Sequence, residues 1–519
     1  MSESGAPFVN EAAREVVLRV AGVTKRFGDL VANDDISLEL RRGEVLGLLG
    51  ENGAGKTTLM SILFGHYVAD EGRIEAFGEP LPPGSPRAAI AAGIGMVHQH
   101  FTLADNLSVL DNIVLGSEPM WRLRSDLRGA ASRLREHSRR FGLDVHPDAL
   151  IGELSVGERQ RVEILKALYR SARILILDEP TAVLTLQETE SLFRTLGQMA
   201  AQGLSIIFIS HKLDEVIAAC GRVMVLRAGR VIGERPATGT NASRLAEMIV
   251  GHEVPATRRS AATPGEPVFE LRGVNAGTGG RDRLHDVDLT VRAREIVGVA
   301  GVAGNGQGSL ARVAGGHAAP TRGQALLFGE DASRSSASRD ARGRVARIPD
   351  DRHALGIVSD LALWENAILD TANRRRFARF GIIRRREAKA FAEELIERFD
   401  IRCRGPDTPT GLLSGGNMQK LILGRVFSVR PRFIIANQPT RGLDVGAAAY
   451  VRKCLLEARD GGAAVLVISE DLDETLSIAD RIAVVHRGRL SPPRAAESLT
   501  RREIGLLMAG QWDTVRDAR

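Results

Sequence analysis

The chain is one domain written twice. Residues Leu18–Gly50, LRVAGVTKRFGDLVANDDISLELRRGEVLGLLG, overlay the segment ending at Gly301 at an offset of 251, with Gly22/Gly273, Val23/Val274, Glu44/Glu295 and Gly47/Gly298 in register. Further along, LSVGERQ at Leu154 matches LSGGNMQ at Leu413, and ILDEPT matches IANQPT, both at an offset of 259. A repeat on this scale governs every local reading. Each copy alternates apolar strand, glycine turn and helix-like stretch, which predicts an α/β core. The stretches 103–150 and 360–410 carry apolar residues at three-to-four spacing and read as helices. The expected boundaries are a tail at 1–14, a first domain at 15–254, a linker at 255–267, a second domain at 268–510 and a tail at 511–519. The linker prediction rests on PATRRSAATPGEP, which has no apolar periodicity.

Composition closes off other classes. Apolar runs such as Val45–Leu49 and Ala463–Ile468 fall far short of the roughly 20 residues of a membrane span. The start, MSESGAPFVNEAAREVV, lacks a secretory pattern, so a cytoplasmic location is expected. Cys220, Cys403 and Cys454 are widely spaced and form no metal or disulfide framework. A net charge of +6 over 519 residues is too dilute to indicate nucleic acid, and only 4% of residues are aromatic, leaving few platforms for bases to stack on.

Gly50-Glu51-Asn52-Gly53-Ala54-Gly55-Lys56-Thr57 fits GxxxxGK[ST] between the apolar strand Val45–Leu49 and the helix-like stretch that begins Thr57-Thr58. Glycines let backbone N–H groups wrap phosphates, the helix N-terminus favours their charge, Lys56 reaches the β/γ-phosphates and Thr57 ligates Mg²⁺. Downstream, the strand Ile174–Leu177 ends in Asp178-Glu179, carboxylates placed where a parallel strand would present them to that metal.

These residues resemble the ATP-binding cassette (ABC) ATPases, and the similarity spans nearly the whole chain. The resemblance implies that Phe27 stacks on adenine, that Gln99 is the glutamine-loop residue contacting metal and water, that LSVGERQ is a signature motif, and that His211 is the switch histidine. It implies two P-loop NTPase cores, each with a helical subdomain and an antiparallel β subdomain, packed head to tail as a pseudo-dimer.

The second copy is altered at every matched ATP-site position. Lys56 becomes Gln307, Thr57 becomes Gly308, Asp178 becomes Asn437, Glu179 becomes Gln438, Gln99 becomes Asp350, Phe27 becomes Thr278 and His211 becomes Glu470. Its signature is the better one: Ser414, Gly415 and Gly416 are intact, whereas the first copy has Val156 in place of one glycine, and Asp444 matches the family's D-loop aspartate where the first copy has Thr185. The family's head-to-tail packing therefore implies one complete composite ATP site, formed by Phe27, Lys56, Thr57, Gln99, Asp178, Glu179 and His211 with Ser414, Gly415 and Gly416. Glu179 is expected to polarise the attacking water and His211 to contact the γ-phosphate.

The short linker, the single degenerate site, the second loop GVAGNGQ and the run IPDDRHALGIV resemble the ATPase subunit of bacterial simple-sugar and nucleoside importers. That implies two membrane permease subunits, an extracytoplasmic solute-binding lipoprotein and a place on the cytoplasmic face of the cell membrane. MVHQHF and IANQPTRGLDVGA favour the nucleoside branch over the monosaccharide branch. Two arginine-rich stretches, WRLRSDLRGAASRLREHSRR and NRRRFARFGIIRRRE, read either as solvated helix faces or as contacts with membrane subunits or lipid headgroups.

Overall fold

The computed structural model describes residues 15–51, 53–98, 101–117, 126–181, 184, 186–210, 212–251, 259–260, 262–277, 282–302, 304–332, 344–370, 376–508 and 510–512. The chain divides into two compact units between Val254 and Pro255.

In the first unit a six-stranded sheet runs in the order Ile94–Val97, Ile174–Asp178, Ser205–Ile209, Val45–Gly50, Arg222–Arg227, Arg230–Pro236. The first five strands are mutually parallel. Parallel strands are covered on both faces, so they read as continuous apolar runs, and all six residues of Val45–Gly50 are buried. Alternation still assigns each side chain a face. Leu46, Leu48, Ile174, Ile176, Ile207 and Ile209 pack with Leu59 and Met60 of the helix Lys56–Leu63 and with the separate four-stranded antiparallel sheet. Val45, Leu49, Leu175, Leu177, Ile206 and Phe208 pack instead with Val162 and Ile164 of the helix Val156–Tyr169 and with the helical region beyond it.

The second unit repeats this order with Val345–Ile348, Phe433–Asn437, Ala464–Ser469, Glu295–Ala300 and Arg481–His486. One buried ion pair recurs at the repeat offsets. Arg222 Nε donates to Glu44 at 2.7 Å and its Nη2 to the Glu39 carbonyl at 2.6 Å; Arg481 Nε donates to Glu295 at 2.6 Å and its Nη2 to the Thr290 carbonyl at 2.8 Å. Each pair, its carboxylate buried and its arginine partly exposed, ties the antiparallel sheet to the central one.

Two features differ from the sequence reading. The segment read as linker is partly built into the second unit: Gly265 N–H donates to the Ala293 carbonyl at 2.8 Å, and the fully buried Arg459 donates to Ser260 Oγ at 2.7 Å and to Asp480 at 2.8 Å. The stretch 360–410, read as helical, contains the helices Leu363–Ala367 and Arg385–Arg398 but also a two-stranded hairpin, Ala378–Arg379 with Ile382–Ile383. Its turn residues Phe380 and Gly381 have φ of 52° and 81°, outside the helical region, as a tight hairpin turn requires.

Candidate active site

The strand Val45–Gly50 feeds directly into the loop that opens the helix Lys56–Leu63. Gly55 caps that helix at φ 95°, and a Cβ there would lie 2.3 Å from the Ala32 carbonyl oxygen, so only glycine fits. Asn33, fully buried, donates its amide to the Gly55 carbonyl at 3.1 Å and pins the loop to the antiparallel sheet. Ala54 N–H donates to the Glu51 carbonyl at 3.0 Å, closing the turn, and Gly53 sits exposed at φ 84°. Lys56 is buried, its ammonium donating to the Gly50 carbonyl at 2.7 Å and the Glu51 carbonyl at 2.9 Å, which holds a cation across the mouth of the loop. Thr57 is exposed and Thr58 half-buried in the first helical turn.

Asp178 ends the strand beside Ile209 and is half-buried. Burial, followed by the neighbouring Glu179, pushes its carboxyl up, and Lys56 pulls it back down. That opposing pull places the Lys56 charge within electrostatic reach of the strand end. Glu179 takes a left-handed backbone, φ 48°, with its N–H donating to the Ile209 carbonyl at 2.9 Å. Thr181 then donates to Glu215 at 2.5 Å, as does Ser210 at 3.0 Å, so one carboxylate fastens the turn after the acidic pair to the end of the next strand. Phe27 is 43% exposed at the end of its strand and meets Tyr67 edge-on at 5.5 Å, with the Lys25 ammonium 5.3 Å from its ring. Tyr67 was not singled out in the sequence, since a lone tyrosine 40 residues away carries no motif. Asn52, Gln99, Thr185, His211 and Thr278 lie outside the described residues.

The second loop keeps the backbone and changes the side chains it holds. Gly306 caps its helix at φ 113°, Gln438 has φ 49°, and Gln438 N–H donates to the Ile468 carbonyl at 2.7 Å, all as in the first unit. Gln307 Nε2 donates to the Val302 carbonyl at 2.7 Å, the counterpart of the Glu51 carbonyl that Lys56 uses. Its Oε1 accepts the Asn305 backbone N–H at 2.9 Å, the counterpart of the Ala54 N–H that donates to the Glu51 carbonyl in the first loop. Asp282, which no motif marks, adds a negative charge at the helix N-terminus: its carboxylate accepts from Ser309 N–H at 3.3 Å and pairs with Arg312 at 3.1 Å. A Cβ at Gly308 would come within 2.8 Å of that carboxylate. Asn437 is buried, and Glu470, whose N–H donates to Gln438 Oε1 at 3.3 Å, is pushed up by burial.

In the second unit Ser414 is the N-cap of the helix Gly415–Ser428, with its hydroxyl accepting from Asn417 N–H at 3.4 Å, so the half-buried Gly415 and Gly416 form the first turn without side chains. Asp444 caps the helix Val445–Asp460, accepting from Ala447 N–H at 2.7 Å. Arg352, from the run IPDDRHALGIV, links the two caps, donating to the carbonyls of Arg441 at 2.9 Å and Gly442 at 3.3 Å while lying against Gly415.

A parallel strand, a glycine loop opening a helix, a buried loop lysine and an acidic strand end two strands along the same sheet define a P-loop nucleoside triphosphatase, here with its backbone framework present twice. The ABC transporter family model matches residues 33–182 and 284–441. The nucleoside import ATP-binding protein NupA of Lactococcus lactis is 44% identical over 500 residues, covering 96% of this chain and 99% of that protein. The glucose import ATP-binding protein TsgD13 of Haloferax volcanii is 44% identical over 537 residues, covering 97% and 98%. The guanosine import ATP-binding protein NupO of Bacillus subtilis is 43% identical over 498 residues, covering 96% and 98%. The chain belongs to the ABC transporter family, as an ATP-binding and ATP-hydrolysing subunit. No helix among the described residues is long and apolar enough to cross a membrane.

Proposed function

We propose that this chain powers nucleoside import by hydrolysing ATP in one composite site, whose phosphate loop comes from the first cassette and whose signature comes from the second. The observation that carries this reading is the contrast in charge between the loops, a cationic Lys56 in one and a neutral Gln307 beside the Asp282 carboxylate in the other. Phosphoryl transfer to water is mainly a matter of positioning and charge neutralisation. Lys56 and the N–H groups of its loop bind the phosphates, Phe27 with Tyr67 offers a face to adenine, and Glu179 orients the attacking water. His211 is assigned to the γ-phosphate and Gln99 to sensing metal and water. The head-to-tail packing implied by the family assigns Ser414, Gly415 and Gly416 to the same triphosphate, and Asp444 to the D-loop.

The residues fit a magnesium ion. The Thr57 hydroxyl and the Asp178 carboxylate are hard oxygen donors, and the burial that pushes Asp178 up is a cost that a neighbouring cation offsets. Mg²⁺ bound there would neutralise charge on the transferring phosphoryl group. The Gln307, Gly308, Asn437, Gln438 and Glu470 site offers neither the lysine nor the acidic pair, and serves as a structural half that binds nucleotide weakly or without turnover.

The nucleoside assignment draws on NupA and NupO together with the MVHQHF and IANQPTRGLDVGA motifs. Transport then requires two membrane permease subunits and an extracytoplasmic solute-binding lipoprotein, with this chain on the cytoplasmic face. The similarity to TsgD13 favours a second reading, monosaccharide import. Deleting the gene in its host and following labelled solutes separates the two. Loss of nucleoside uptake with sugar uptake intact supports the first; loss of sugar uptake alone overturns it.

A further inference from the structure

We propose that the hairpin at residues 376–386 is a docking surface for an anionic lipid bilayer, with Phe380, Ile382 and Ile383 entering the interface and the surrounding arginines meeting the headgroups. The apolar tip is unusually open: Phe380 is 92% exposed, Ile382 74% and Ile383 42%. The sequence from 373 to 386 holds seven arginines and no acidic residue. Among them Arg376, Arg379, Arg384, Arg385 and Arg386 are exposed, and Glu387, the first carboxylate to follow, is already paired with Arg384 at 2.8 Å.

A two-stranded ribbon on its own is marginal in water, so its root must hold it. Phe377 is buried and packs on Phe391 at 5.0 Å, Arg384 N–H donates to the Phe377 carbonyl at 2.8 Å, and the Arg384 guanidinium donates to the Arg376 carbonyl. Phe380 and Gly381, both left-handed, then fold the tip back within two residues. The core side of this segment is thus satisfied at Phe377, while Phe380 and Ile382 stay largely exposed and Ile383 partly so, with the Arg379 guanidinium 5.4 Å from the Phe380 ring. An apolar wedge ringed by guanidinium groups matches the layered chemistry of an anionic interface, where acyl boundary and phosphate lie a few ångströms apart. Arginine stems can lie along the apolar layer while their heads reach the phosphates. A nucleic acid would meet a single exposed ring, Phe380, with branched aliphatics in place of further stacking platforms. The inference stands on this hairpin alone and is independent of the solute and of the unequal ATP sites.

The test is co-sedimentation of the full-length chain with vesicles of phosphatidylcholine, with and without phosphatidylglycerol. Sedimentation should require phosphatidylglycerol and weaken as salt is raised. Phe380→Ser with Ile382→Ser should reduce binding about tenfold or more, and Arg379→Glu with Arg386→Glu by roughly fivefold per arginine or more. Because these side chains face solvent, the melting temperature and basal ATPase should stay at the parent values. Failure to sediment with anionic vesicles, equal binding to both lipids, parent-like binding by the Phe380/Ile382 variant, or attachment only when a membrane protein is present in the vesicle would overturn the proposal.

Discussion

Gln307 donates its side-chain amide to the Val302 carbonyl at 2.7 Å, and Lys56 donates its ammonium to the matching Glu51 carbonyl at 2.9 Å. The two side chains occupy one place in two copies of a loop, and only Lys56 carries a positive charge there. Gln307 also accepts the Asn305 N–H, and the Asp282 carboxylate sits at the helix N-terminus behind it.

Lys56→Ala should therefore lower ATP turnover about a hundredfold or more, the scale of losing one preorganised charge partner, while Gln307→Ala changes it little. Gln307→Lys combined with Asp282→Ala should raise photo-crosslinking of an azido-ATP probe to the second cassette without adding turnover, since Asn437 and Gln438 remain. Labelling of the second cassette that stays at the parent level would show that the amide and Asp282 do not set nucleotide access there.

The first loop also depends on one backbone position. Gly55→Ala places a Cβ 2.3 Å from the Ala32 carbonyl oxygen, whereas Gly53→Ala meets nothing within 4 Å and bears only the cost of a left-handed backbone. The expected outcome is loss of nucleotide binding for Gly55→Ala and retention, with a melting temperature lowered by a few degrees, for Gly53→Ala. Isothermal titration with ATP, alongside thermal melts, distinguishes them.

Legibility in the sequence followed the repeat. The strands, the capping glycines and the Glu44 and Glu295 positions could be read because two copies at offsets of 251 and 259 show what is held in common. Asp282 could not: its counterpart is Val31, it lies in no motif, and its importance arises only when the chain folds it onto Ser309. Tyr67 likewise matters through its contact with Phe27, and Arg352 through carbonyls 89 and 90 residues away. The hairpin at Phe380–Gly381 was read as helix because arginines and apolar residues at mixed spacing satisfy either pattern until the left-handed turn is seen.

A buried carboxyl in the second unit makes stability depend on pH. Burial pushes Glu474 up to about 7, with its Ser469 hydrogen bond at 2.6 Å pulling the other way. A raised folded-state pKa means that the folded protein holds a proton the unfolded chain has lost. The associated stability is complete below the usual glutamate range and disappears as pH rises through about 7. The second unit should lose at most about 3 kcal/mol over that interval. In Glu474→Gln this part of the pH dependence should vanish, checked by urea unfolding at pH 5 to 8 (about one-unit steps) followed through Trp364 fluorescence. A variant that keeps the parent's slope would assign the effect to other groups.

Turnover is assigned to one of two sites with nearly identical backbones. Glu179 and Gln438 share left-handed φ values of 48° and 49° and the same N–H bond to the neighbouring strand, so their side chains alone differ in what they offer a water molecule. The most direct measurement is steady-state ATP hydrolysis by Glu179→Gln and Gln438→Ala, each compared with the parent chain. Glu179→Gln should lower activity about a hundredfold or more, and Gln438→Ala should retain most of it. Equal losses in the two variants would contradict that assignment.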